Sequence, residues 1–167
     1  MGDDGPALSG EEFVEYCRTQ ARLLAGRTER MREELADTLD DIDADIADAR
    51  ARLADSAETV EGTDAPQSTA GPAGADLDAL EAIEEDLETK QAMVEAEQAR
   101  IGAFQELAAG YLDLAEELSG STDGRAALEA VAQFEADTDA PAYFEERQTV
   151  LEAADSDEDS DDERADG

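Results

Sequence analysis

A heptad seam in the second half of the chain constrains the fold more than any other feature. Every seventh residue from Leu80 reads Leu80, Leu87, Val94, Ile101, Ala108, Ala115, and the companion position reads Ile83, Lys90, Glu97, Phe104, Tyr111, Leu118. Apolar residues at alternating three- and four-residue steps, held over about six heptads, describe a helix that packs lengthwise against another helix. A matching helix lies upstream. Its seam reads Cys17, Ala21, Leu24, Thr28, Met31, Leu35, Leu39, Ile42, Ile46, Ala49, Leu53. The steps alternate except from Leu35 to Leu39, where a second four-residue step predicts a stutter that locally unwinds the supercoil.

Local signals set the boundaries. Residues 1–9 read as a flexible N-terminus. Ser9-Gly10-Glu11-Glu12 matches a capping box, so the first helix is expected over about 10–55. Gly26 inside it costs about 1 kcal/mol relative to Ala. Residues 56–76 are rich in Gly, Pro, Ser and Thr and read as a flexible linker. The second helix is expected over about 76–119, ending at Ser119-Gly120. Its last part is apolar over most of its circumference, as is the start of the first helix, and an antiparallel arrangement sets these two broad faces side by side.

Two short helices follow, over about 123–136 and 141–153, with Ala127, Leu128, Val131 and Phe134 expected to face inward from the first. Residues 154–167 form an acidic tail expected to be disordered. The predicted fold class is all-α. A long antiparallel helical hairpin, a coiled coil, carries two short C-terminal helices at its base, and residues 10–153 make one domain.

Charge sets the second constraint. The 167 residues hold 47 Asp and Glu against 12 Lys and Arg, a formal net charge of −35, yet 41% of residues are apolar and regularly spaced. At molar salt the Debye length falls to about 3 Å, which screens such repulsion. Acids dominate, Asp is used freely, and Lys90 is the only lysine. This pattern resembles the acidic cytoplasmic proteins of salt-in haloarchaea, and the resemblance implies a halophilic, cytoplasmic protein. It points to no functional family.

Several chemistries are disfavoured. There is no histidine and one cysteine, Cys17, which removes His-based nucleophile pairs, His-ligated zinc and an internal disulfide. No apolar run approaches the ~20 residues that span a bilayer, and the acidic first residues are unlike a signal peptide. The acidic runs Asp40–Asp45 and Glu84–Glu88 fan around helix axes rather than converging on a cation, so no metal site or cofactor is expected and salt cations associate non-specifically. Phosphate loops, dinucleotide-binding glycines and nucleophile elbows are absent from the sequence. Nucleic-acid binding is disfavoured by the global charge.

What remains is helix–helix contact. The expected partner-contact seam is Leu39, Ile42, Ile46 and Leu53 on the first helix with Leu80, Ile83, Leu87 and Val94 on the second. Lys90 and Glu97 interrupt that seam with charge, where polar residues set register. Arg18, Arg22, Arg27, Arg30 and Arg32 form the only basic cluster, an anion or partner patch or a set of local ion pairs. The expected function is a non-enzymatic interaction or scaffold protein whose arm pairs with itself or with another helical protein. The paired arms also resemble prefoldins in outline, which implies a holdase chaperone as the alternative. The segment between the arms lacks the strand-forming sequence with which prefoldins build their oligomeric base.

Overall fold

The computed structural model describes residues 8–61, 72–120 and 123–162. The described residues are mostly helical and contain no strand. Helix α1 spans Gly10–Glu61, α2 Pro72–Leu118, α3 Gly124–Asp137 and α4 Val150–Asp162, with a 3₁₀ turn at Ala140–Tyr143 between α3 and α4. The long helices α1 and α2 pack against each other as an antiparallel hairpin, and the short C-terminal helices pack against it. The all-α hairpin expected from the heptad seam is therefore the fold.

The chain divides into two compact units. The first comprises residues 1–28 and 102–167, the second residues 29–101. In the first unit Tyr16 of α1 meets Tyr111 of α2, and Arg27 lies over Phe104, so one helix descends as the other ascends. In the second unit Asp45 meets Lys90, while Leu35 and Thr38 lie near Val94 and Glu97, the same antiparallel sense.

The caps explain the helix starts. Ser9 and Glu12 make the expected reciprocal capping box, the Ser9 N–H donating to Glu12 Oε2 at 2.7 Å and the Glu12 N–H to Ser9 Oγ at 3.4 Å. Asp123 caps α3, its Oδ1 accepting from the N–H groups of Arg125 and Ala126. Helix α4 has a capping box that sequence reading passed over. Thr149 accepts from the Glu152 N–H, and Glu152 Oε2 accepts from the Thr149 N–H at 2.9 Å. That cap moves the last helix away from the expected 141–153. Pro141 begins only a 3₁₀ turn, after Asp139 in the left-handed region at φ 52°, and the helix proper starts at Val150 and runs to Asp162.

Helices α1 and α2 also reach to Glu61 and from Pro72, into both ends of the expected 56–76 linker. The tail expected to be disordered from residue 154 is helical as far as Asp162. Residues 62–71 of the expected linker, 1–7 of the expected flexible N-terminus, 163–167 of the expected tail, and 121–122 lie outside the described residues.

The core of the first unit is built around Tyr111, which is fully buried. Its ring meets Tyr16, Phe134 and Phe144 edge to face, at centroid separations of 6.4, 4.9 and 6.1 Å. Gly110 makes room for this stack, since a Cβ there would stand 2.8 Å from the Phe134 ring. The inward stripe of α3 is Ala127, Val131 and Glu135, all fully buried, whereas Leu128 is 38% exposed. The expected inward Leu128 is thus corrected: steps of four from Ala127 lead to a carboxylate, not to a leucine.

Candidate functional site

In the second unit the seam keeps strict heptad order. Burial in α1 follows Met31, Leu35, Thr38, Ile42, Asp45 and Ala49, steps of four and three with no second four. The stutter expected at Leu39 is absent, because Thr38 takes the seam position and Leu39 is left 43% exposed. Two polar contacts make this register workable. Thr38 Oγ1 donates to the Glu34 carbonyl at 3.1 Å, so its hydroxyl enters the seam already satisfied. Asp45 reaches Lys90, whose Nζ stands 2.6 Å from Asp45 Oδ2 and 2.9 Å from Asp86 Oδ2.

Lys90 thus occupies the seam position the heptad gave it and is engaged from both helices. Its hydrogen bonds to Asp45 and Asp86 hold the ammonium well above the ordinary lysine range. Glu97, half-buried, lies 4.0 Å from Arg100. With Glu34, Leu35, Thr38, Met93 and Val94 it lines a cavity of about 140 Å³ between the helices.

The expected contact residues separate into three groups. Ile42 and Val94 are buried in the seam. Ile46, Leu80, Ile83 and Leu87 are half-buried. Leu39 and Leu53 stand outside the packed seam, Leu53 at 55% exposure. Leu77 and Met93 are likewise exposed, at 60% and 59%.

Of the arginine cluster, Arg18, Arg22 and Arg27 belong to the first unit and Arg30 and Arg32 to the second. Arg27 turns inward within the first unit. Its guanidinium lies 5.5 Å from the centre of the Phe104 ring, and Nη1 donates to the Tyr143 carbonyl at 3.5 Å. Arg22 pairs with Glu15 at 3.7 Å in that unit, and Arg32 with Glu29 at 2.5 Å in the second. Arg18 and Arg30 are exposed. These are surface ion pairs and one aromatic brace.

The first unit contains a buried polar cluster that sequence reading did not single out. Glu135 is fully buried. Its Oε1 accepts from the Tyr16 hydroxyl at 2.5 Å and the Tyr111 hydroxyl at 2.9 Å, and its Oε2 from the Leu151 N–H at 2.8 Å. The Tyr16 oxygen in turn accepts from Gln20 Nε2 and the Val150 N–H. One carboxylate therefore ties α1, α2 and the first turn of α4 to α3. A negative charge at that first turn also complements the unpaired N–H groups of a helix start.

Burial, followed by the neighbouring Glu135 carboxylate, raises both tyrosines well above their ordinary range. The same two causes push the Cys17 thiol up to about 12. A buried thiol held protonated is a poor nucleophile, and Cys17 acts as a small core residue. The only sequence signal for this cluster was the Ala127, Val131, Glu135 spacing. Among the described residues no group of three or more metal-ligating side chains converges, and no helix is long and apolar enough to cross a membrane.

No protein-family model matches the chain, and no curated protein and no solved structure is significantly similar to it.

Proposed function

We propose that this chain is a non-enzymatic interaction or scaffold protein that works by helix–helix contact in a cytoplasm of molar salt. The observation that carries the proposal is the incomplete cover of the second unit. Leu39, Leu53, Leu77 and Met93 are exposed by 43–60%. Two paired helices share a single seam, so large apolar side chains beside it stay in water until another surface arrives. The net charge of −35 supports the salt environment, because screening over about 3 Å at molar ionic strength lets acidic helices approach.

The test is capture in molar KCl with the tagged full chain. One helical partner, or a second copy, should be retained in stoichiometric amount and lost on Leu39→Ser/Leu53→Ser. Retention of nothing, or retention unchanged by the double substitution, refutes the reading. A holdase would draw on the same side chains but would suppress client aggregation without fixed stoichiometry. Circular dichroism tests the halophilic part separately: helicity should fall when KCl is removed, and equal helicity in low and molar KCl argues against it.

A further inference from the structure

The hairpin seam uses one face of α1 in the second unit, and a second seam runs beside it. Leu39, Asp43, Ile46, Arg50 and Leu53 follow one another in steps of four, three, four and three. This is the spacing of a coiled-coil stripe, and the hairpin does not bury it. Leu39 and Leu53 are exposed and Ile46 is half-buried. Asp43 and Arg50 are exposed, and among the described residues neither has an ion-pair partner.

The stripe reads the same in both directions, with one informative exception. Outward from Ile46, each direction meets a charged residue at three or four positions, a leucine at seven and an alanine at ten or eleven. The residues are Asp43, Leu39 and Ala36 one way, and Arg50, Leu53 and Ala57 the other. The exception is the sign of the charge, which is opposite. A two-fold axis at Ile46 therefore sets Ile46 against Ile46, each Leu39 against a Leu53, and each Asp43 beside an Arg50. Such self-complementarity is what an isologous contact requires, where residue i meets j and j meets i.

We propose that residues 36–57 of α1 form an antiparallel interface with a second copy of this chain. The inference rests on the interaction reading above and names its partner. The second unit carries 22 acidic residues against six basic ones, so bulk repulsion opposes pairing at low salt, and pairing tightens as KCl rises. A basic foreign helix attracted by the same charge would bind more weakly as KCl rises.

Cysteine cross-linking of the full chain in molar KCl tests the geometry. Cys17 is buried and stays in place, with the wild type as the control. A disulfide needs Cα atoms within about 7 Å. Ile46→Cys should cross-link to itself under mild oxidation. Leu39→Cys alone should not, because the two copies of residue 39 stand 14 positions apart, about 21 Å along the helix. An equal mixture of Leu39→Cys and Leu53→Cys should cross-link. Self-linking of Leu39→Cys, or no linking at residue 46, overturns the proposal.

A charge exchange tests the pairing by sedimentation, at the lowest KCl that retains helicity. Arg50→Asp should weaken association about tenfold or more, and Asp43→Arg/Arg50→Asp should restore it. Equal affinity of Arg50→Asp and wild type, or no recovery in the double variant, overturns the proposal. These positions are exposed, and circular dichroism checks that each variant is helical. A monomeric chain that still captures another helical protein would end this inference and leave the interaction reading standing. A monomeric chain that captures nothing would end both.

Discussion

Replacing Glu135 by alanine should unfold the first unit far more readily than any surface substitution. The change strands two phenol hydroxyls and the Leu151 N–H, all of which donate to that carboxylate. Each buried donor left without an acceptor costs about 1–3 kcal/mol, and relaxation keeps three of them below the full sum. Three stranded donors, none of them charged, therefore put the expected loss for Glu135→Ala at about 3–5 kcal/mol. Against a typical domain stability of about 5–15 kcal/mol that loss is large.

Glu135→Gln refines the expectation. Its oxygen can still accept from both tyrosines, but its amide nitrogen then faces the Leu151 N–H, donor against donor. The cost should be that of one lost acceptor, about 1–3 kcal/mol. Urea unfolding followed by tyrosine emission suits the measurement. The chain has no tryptophan, and Tyr16, Tyr111 and Tyr143 all lie in the first unit. Glu129→Ala on the same helix is the control, its side chain 74% exposed, and should shift stability by no more than about 0.5 kcal/mol. A Glu135→Ala variant as stable as Glu129→Ala would refute the buried cluster as the fastening of α4.

Further outcomes follow from the packing within each unit. Gly110→Ala drives a Cβ into the Phe134 ring and should cost about 1–3 kcal/mol. Gly26→Ala meets nothing within 4 Å and should gain about 0.5–1 kcal/mol; paired thermal melts compare the two signs. Alkaline pH should destabilise the fold. The folded pKa values of Tyr16, Tyr111, Cys17 and Lys90 are all raised, so their contribution is complete below the unfolded values and is lost as pH rises through the folded ones. Urea midpoints should therefore fall above pH ~10, and thiol labelling of Cys17 at neutral pH should be slow until urea opens the unit. In a double-substitution cycle, Asp45→Leu/Lys90→Leu should be more stable than either single change, since each single change leaves a half-buried charge without its cross-helix partner; strict additivity of the melting shifts would deny the coupling.

The fold was legible because its signals were periodic and redundant. The α2 seam from Leu80 to Leu118 held in every described heptad, Lys90 and Glu97 included. The Ser9–Glu12 box placed the start of α1 to the residue. Reading failed where hydrophobicity and register disagreed. Following Leu39, Ile46 and Leu53 invented a stutter, because the seam positions are held instead by Thr38 and Asp45. A threonine can satisfy its hydroxyl on its own helix, and an aspartate can be drawn in by a lysine forty-five residues away. The second of these cannot be read from α1 alone. Glu135 escaped for a similar reason: a glutamate on a short helix reads as solvent-facing until two tyrosines and a helix start converge on it. Reading Thr149-Val150-Leu151-Glu152 as a capping box would have placed α4 correctly.

Sedimentation equilibrium of the full chain across a KCl series, with helicity recorded at each salt, tests the central claim most directly. Association through the uncovered edges of the second unit predicts a mass that rises from one chain toward two as KCl becomes molar, or a stoichiometric complex once a helical partner is added. It also predicts return to a single chain with Leu39→Ser/Leu53→Ser. A fully helical chain that stays monomeric at every salt, and that binds no helical partner in molar KCl, would contradict it.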